Sequence, residues 1–252
     1  MDNQESTQTL STNNVSSLPG IGSLLGETLS IYQKKIKVLL ILTLMLLFLP
    51  LAVVGLPVIA SIIGLSFFFS NHYSDFSLIL ILLMVVALIA MVFISLWISV
   101  SLLIAIKERE REIGIKELFS MAHHKIISYF WISLLETVII FVGFLLFIIP
   151  GIIMSIWFSL ALIVFISEDL KGRKALSRSK QLVKGHWWSV FWKFFVFNVI
   201  IMTISITVGL IPFIGGFIGV LLMPLSIIFS FLIYENLKKI NPVEYSTNIG
   251  RT

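Results

Sequence analysis

Glu136 is the first residue in this sequence whose type and setting could do chemistry. It lies about nine residues into an uninterrupted apolar run, Ser128 to Ile149. A charge at that depth in a lipid span costs at least about 2.5 kcal/mol. An acid kept there therefore reads either as a proton or cation handler or as a protonated carboxyl hydrogen-bonded inside a bundle. Asn198 sits at a matching depth in a later run, Ser189 to Leu210. Its amide both donates and accepts, which makes Glu136 and Asn198 a candidate intramembrane polar pair.

The remaining chemistry-bearing residues exclude more than they suggest. There is no cysteine, so zinc thiolate sites and thiol catalysis are out. His123 and His124 are adjacent and point about 100° apart on a helix, so they cannot chelate as an i, i+4 pair would. His72 and His186 stand alone. No Gly-x-Ser-x-Gly, P-loop or Gly-x-Gly-x-x-Gly motif occurs, and no polar stretch is long enough for a catalytic domain. The sequence therefore predicts no catalytic residue, no metal and no cofactor.

Two charged segments remain. Lys107 to Glu112 forms i, i+3 pairs of opposite charge, the pattern of a solvated helix. In Arg173 to Trp188, an apolar stripe at helical spacing (Ala175, Leu176, Ser179, Leu182, Val183, Trp187) is flanked by Arg173, Lys174, Arg178, Lys180 and Lys184, and ends on Trp187-Trp188. That is the pattern of an in-plane helix with an aromatic anchor. Anionic lipid headgroups are the expected counter-charge, and positive-inside retention alone explains the charges as well.

The elements that must position these residues follow from composition. The chain has 252 residues, 58% hydrophobic and 12% charged, about half the charge of a soluble domain. The natural solvent is lipid, and the apolar runs are continuous rather than alternating, so helices rather than barrel strands are predicted. Six spans are expected: Val38 to Phe69, Leu78 to Ile106, Ser128 to Ile149, Ile152 to Ile166, Ser189 to Leu210 and Phe217 to Tyr234. Pro50 and Pro57 interrupt the first, which should be one kinked span that continues as a helix or turn near the outer surface, and Pro150-Gly151 should form the turn between the third and fourth. Residues 1–20 read as a disordered polar tail, 21–240 as the membrane domain and 241–252 as a polar tail.

All 18 Lys and Arg fall at the N-terminal region, 107–125, 171–193 or the C-terminal tail. The connections near 70–77, 150–151 and 211–216 hold none. The positive-inside rule then puts both ends in the cytoplasm. The fold class is thus an all-α helical bundle of three hairpin repeats. Ser30, Ser120 and Ser179 each precede Lys35, Lys125 and Lys184 by five residues, and each copy runs on to Pro50, Pro150 or Pro212.

Pro150-Gly151, Trp157, Glu168, Ala175-Leu176, Ser179, Lys184-Gly185 and Trp188 resemble a pattern shared by prokaryotic six-span proteins. These include the membrane domain attached to some glycerophosphoryl diester phosphodiesterases and the YciC-like inner-membrane proteins. The resemblance implies a structural role for Pro150, Gly151, Trp157, Glu168, Ser179 and Gly185, and a prokaryotic inner membrane. It implies no diesterase activity, because that chemistry belongs to a separate soluble barrel. The expected function is a non-catalytic membrane module that contacts lipid and a membrane-protein partner or a second copy, with no nucleic-acid partner. The competing class is a small transporter or exporter of a lipid-like or peptide substrate through Glu136. An enzyme acting on lipid headgroups ranks third.

Overall fold

The computed structural model describes residues 18–71, 74–209, 219 and 221–241. These form α1 (Ile21–Lys34), α2 (Ile36–Asn71), α3 (Ser74–Lys107), α4 (Ile115–His123), α5 (Ile126–Leu146), α6 (Ile148–Phe158), α7 (Ala161–Glu168), α8 (Arg173–Val183), α9 (Trp187–Gly209) and α10 (Met223–Ile240). No strand occurs among the described residues. Most of the two tails and the whole connection at 211–216 lie outside them.

Among the described residues, five segments are long and apolar enough to cross a membrane: Ile36–Gly55, Ile81–Lys107, Ile126–Leu146, Ile148–Glu168 and Trp187–Gly209. Large apolar side chains stand exposed on α2, α3, α5 and α9, with Leu82, Phe93, Ile127, Phe141 and Met202 among them. A continuous apolar surface of that extent belongs in lipid, and the protein is a membrane protein. The expected sixth span begins on residues outside those described. Its described part, α10, differs from the others: Ile228, Phe229, Leu232, Ile233 and Leu237 are fully enclosed, and its last turns carry Glu235, Lys238 and Lys239.

Three units repeat along the chain. A short amphipathic helix (α1, α4 or α8) leads into an outgoing helix (α2, α5 or α9), and a returning segment follows (α3, α6 with α7, or α10). The returning segments α3, α7 and α10 pack on one another and form the core. Each amphipathic helix rests on the preceding unit: α4 on α3 and α8 on α6 and α7. The first closes the set, with α1 lying on α10. Leu24 and Thr28 are the residues α1 buries, and the Tyr32 hydroxyl donates to the Leu221 carbonyl at 3.3 Å.

Proline placement bears on two expectations: the first run does continue past its prolines as a helix, and the turn at Pro150-Gly151 is corrected. α2 runs through both Pro50 and Pro57 as one helix of 36 residues, roughly 54 Å at 1.5 Å per residue. Proline is tolerated in a span when neighbouring groups satisfy the freed carbonyl. Pro150-Gly151 is not the turn. The chain reverses at Phe147, a single extended residue at φ −164°, and Pro150 already lies in the first turn of α6, where no intrahelical N–H bond is lost. The fourth span also breaks at Ser159–Leu160, between α6 and α7.

Candidate functional site

The expected Glu136–Asn198 pair does not form. Asn198 is exposed, and its Nδ2 donates at 2.8 Å to the Phe194 carbonyl of its own helix. Glu136 is half-buried on the inward stripe of α5 with Tyr129, Ile132, Ile139 and Gly143, successive members three or four residues apart on one face. The reason is architectural: α5 and α9 both belong to the outer layer, and α6 packs against each of them.

Polar chemistry gathers instead where α3, α7 and α10 end together. Glu168 accepts from Arg178 Nε at 3.1 Å and from the Tyr234 hydroxyl at 2.9 Å, with Lys238 Nζ at 3.4 Å. Arg109 grips Glu235 with two parallel bonds of 2.9 Å, the strong bidentate geometry. Lys125 donates to Asp169 and also lies 5.3 Å over the Phe165 ring. That hydrogen bond holds the Asp169 carboxyl below the usual carboxylate range. Units one, two and three are thereby tied across one another at their charged ends. Lys107, Lys238 and Lys239 also stand near three converging helix C-termini, whose dipoles favour positive charge.

Sequence reasoning singled out Glu168 and missed its counterparts. Ser95-x-Trp97-x-Ser99 recurs as Ser155-x-Trp157-x-Ser159, and Glu108 and Glu168 each follow the second serine by nine residues. Ser226 and Glu235 keep that spacing. Both tryptophans meet the next amphipathic helix. Trp97 Nε1 donates to the Phe119 carbonyl at 2.9 Å, and the Trp157 carbonyl accepts from Ser179 Oγ at 2.7 Å.

The basic segment divides into two faces. Arg173, Lys174, Lys180 and Lys184 are exposed, while Arg178 is buried against Glu168. Arg178 is therefore a clamp residue and not a lipid contact. The apolar stripe also goes elsewhere than expected: Ala175, Leu176, Ser179, Leu182 and Val183 are enclosed by protein, with α5, α6, α7 and α10 all packed on α8. Helix α8 thus seats its apolar face on the bundle rather than in the bilayer.

Lipid-facing hollows lie beside it. A groove of about 620 Å³ runs between α6 and the α8–α9 junction, lined by Ile149, Ile152, Ile153, Trp157, Lys184, Gly185, Trp187, Trp188 and Phe191. Lys180 Nζ stands 4.1 Å over the Trp157 ring, and Trp187 Nε1 donates to the Ile153 carbonyl at 3.5 Å across the groove wall. Trp188 is 66% exposed and Ile149 71%, so the groove opens outward. A second groove of about 410 Å³ occupies the corresponding place one unit earlier. Ile89, Val92, Phe93 and Leu96 of α3 face Ile126, Ile127 and Phe130 of α5 across it.

The backbone around this site needs its glycines. Gly185 stands at φ 91° where α8 ends, and Gly172 at φ 55° where it begins, a region that favours residues without a Cβ. Gly143 and Gly151 bring α5 and α6 into close approach: a Cβ on Gly143 would fall 3.1 Å from the Gly151 Cα. Among the described residues, no three His, Asp or Glu side chains gather as metal ligands.

No curated protein and no solved structure matches the chain. A family model does, from the first residue of α4 to the last of α10, which takes in the Glu168–Arg178 pair and both walls of the larger groove. That model is described as a domain of unknown function, DUF8558; it covers residues 115–240, half of the chain, and the protein belongs to that family.

Proposed function

We propose that the chain is a non-catalytic, six-span module of a prokaryotic cytoplasmic membrane that holds anionic phospholipid in the groove between α6 and α9. One observation carries the reading: the groove is apolar along its length, opens outward, and ends on Lys184 with Lys180 beside it. An acyl chain suits the wall and a phosphate the basic end. The paired tryptophans, Trp187 and Trp188, suit the headgroup level. The resemblance to the phosphodiesterase membrane domain supports a place beside lipid without catalysis.

Each basic residue near an anionic lipid contributes about 1 kcal/mol, roughly a fivefold preference. The purified protein should therefore retain phosphatidylglycerol over phosphatidylcholine when offered equal amounts and weighed intact by native mass spectrometry. Lys180→Gln and Lys184→Gln should each lower that preference about fivefold. Equal retention of the two lipids by the unaltered protein would sink the reading.

The same proposal places the charged end in the cytoplasm. Ser179 is enclosed, so Ser177, which is exposed on α8, is the better probe. An impermeant thiol reagent applied to intact cells should label Asn71→Cys and leave Ser177→Cys unlabelled until the membrane is opened. The reverse pattern would invert the topology.

A further inference from the structure

We propose that the groove between α3 and α5 is a second phospholipid site that takes a zwitterionic headgroup, and that Asp169 sets this choice by holding Lys125. The inference rests on the lipid reading of the larger groove. The two grooves occupy corresponding places in successive units: each lies between a returning helix carrying the Ser-x-Trp-x-Ser motif and the helix that leaves the next amphipathic segment. Lys125 and Lys184 are the matching cations, Lys125 directly before α5 and Lys184 three residues before α9.

Their surroundings differ in one respect. Lys184 is exposed, lines its groove and makes no ion pair among the described residues. Lys125 is turned away from its groove toward α7, where it donates to Asp169 and lies over Phe165. The larger groove therefore carries free positive charge in its lining, whereas the lining of the smaller holds no charged side chain, because Lys125 is held away from it at Asp169. A phosphate with no compensating amine is matched at the first. At the second, a headgroup that carries its own cation has no uncompensated charge to leave there.

Asp169 is 65% exposed at its side chain and adopts φ 54°. Asn accepts that left-handed conformation readily, so Asp169→Asn removes the charge without disturbing the backbone.

The test uses the full chain in neutral detergent, offered equal phosphatidylglycerol and phosphatidylcholine and weighed intact. The unaltered protein should hold one phosphatidylglycerol and one phosphatidylcholine. Asp169→Asn should hold two phosphatidylglycerols, and adding Lys125→Gln should return the count to one. Ile127→Trp, which fills the smaller groove, should lose the phosphatidylcholine and keep the phosphatidylglycerol. An Asp169→Asn protein with the unaltered lipid count overturns the assignment of Asp169, and an Ile127→Trp protein that keeps both lipids overturns the second site. Loss of phosphatidylglycerol from the unaltered protein strikes only the reading of the larger groove. A gain of one phosphatidylglycerol on Asp169→Asn would still support the second site.

Discussion

Glu168→Ala is expected to lower stability by about 3–5 kcal/mol, the usual cost of removing one partner from a buried ion pair. The side chains of Glu168 and Arg178 are only 14% and 10% exposed, so solvent cannot take over the role of the lost carboxylate. The Tyr234 hydroxyl and Lys238 lose the same acceptor. Thermal unfolding in mild detergent would measure the effect. Adding Arg178→Met should recover much of the loss, because the penalty comes from the stranded cation rather than from the absence of a bond. The exposed pair Lys34–Glu110, at 62% and 77%, gives the comparison: Glu110→Ala should change stability by less than about 1 kcal/mol. A Glu168→Ala protein as stable as the Glu110→Ala protein would show that the clamp contributes nothing.

Gly143→Leu is expected to part α5 from α6, at a cost of about 1–3 kcal/mol for overpacking. Small residues let helix backbones approach closely in lipid, where no hydrophobic force otherwise holds them together. A Cβ at Gly143 meets Met154 Sδ at 2.9 Å, the Gly151 Cα at 3.1 Å and the Gly151 nitrogen at 3.3 Å. The thioether can move; the backbone of α6 cannot without shifting the groove wall that Ile152 and Ile153 supply. Gly143→Leu should thus lower both the unfolding temperature and the retention of phosphatidylglycerol. Gly151→Ala sets its Cβ 2.5 Å from the Phe144 Cγ, an atom that ring rotation does not move, so Phe144 must change its χ1 and a loss in the same direction is expected. Gly26→Ala, with nothing within 4 Å, should be neutral or slightly stabilising. Equal melting of the Gly143→Leu and Gly26→Ala proteins would refute the close-approach argument.

The helical architecture was legible because lipid imposes one rule on every backbone group. The three-unit repeat was legible for a related reason, since each unit must cross and return. What escaped the sequence was side-chain direction. Arg178 and Lys180 differ by two residues, yet one faces Glu168 and the other lies over Trp157 at the groove. Helical spacing alone separates their faces, but not which face the bundle covers. The serines used to align the repeat share no role. Ser179 is enclosed and bonded to a neighbouring helix, while Ser30 and Ser120 are exposed. The better register lay in Glu108, Glu168 and Glu235, but Glu108 reads as one of a run of i, i+3 pairs and Glu168 as one residue of a family pattern until the ends of α3, α7 and α10 are seen to meet. Pro150 misled for the opposite reason: proline both stops helices and starts them, and only the extended residue Phe147 tells which applies here.

The seating of α1 on α10 has a consequence for biogenesis. A chain is made from its amino end, and α1 is the first described helix to leave the ribosome, whereas α10 is the last. α4 and α8 find the helices they rest on already synthesised, but α1 must wait for nearly the whole chain. Until then Leu24 and the face around it have no partner of their own, and transiently uncovered apolar surface of this kind is what chaperones and proteases recognise. Closure of the bundle therefore follows the synthesis of α10, and an unseated α1 would mark any chain in which that helix failed to arrive.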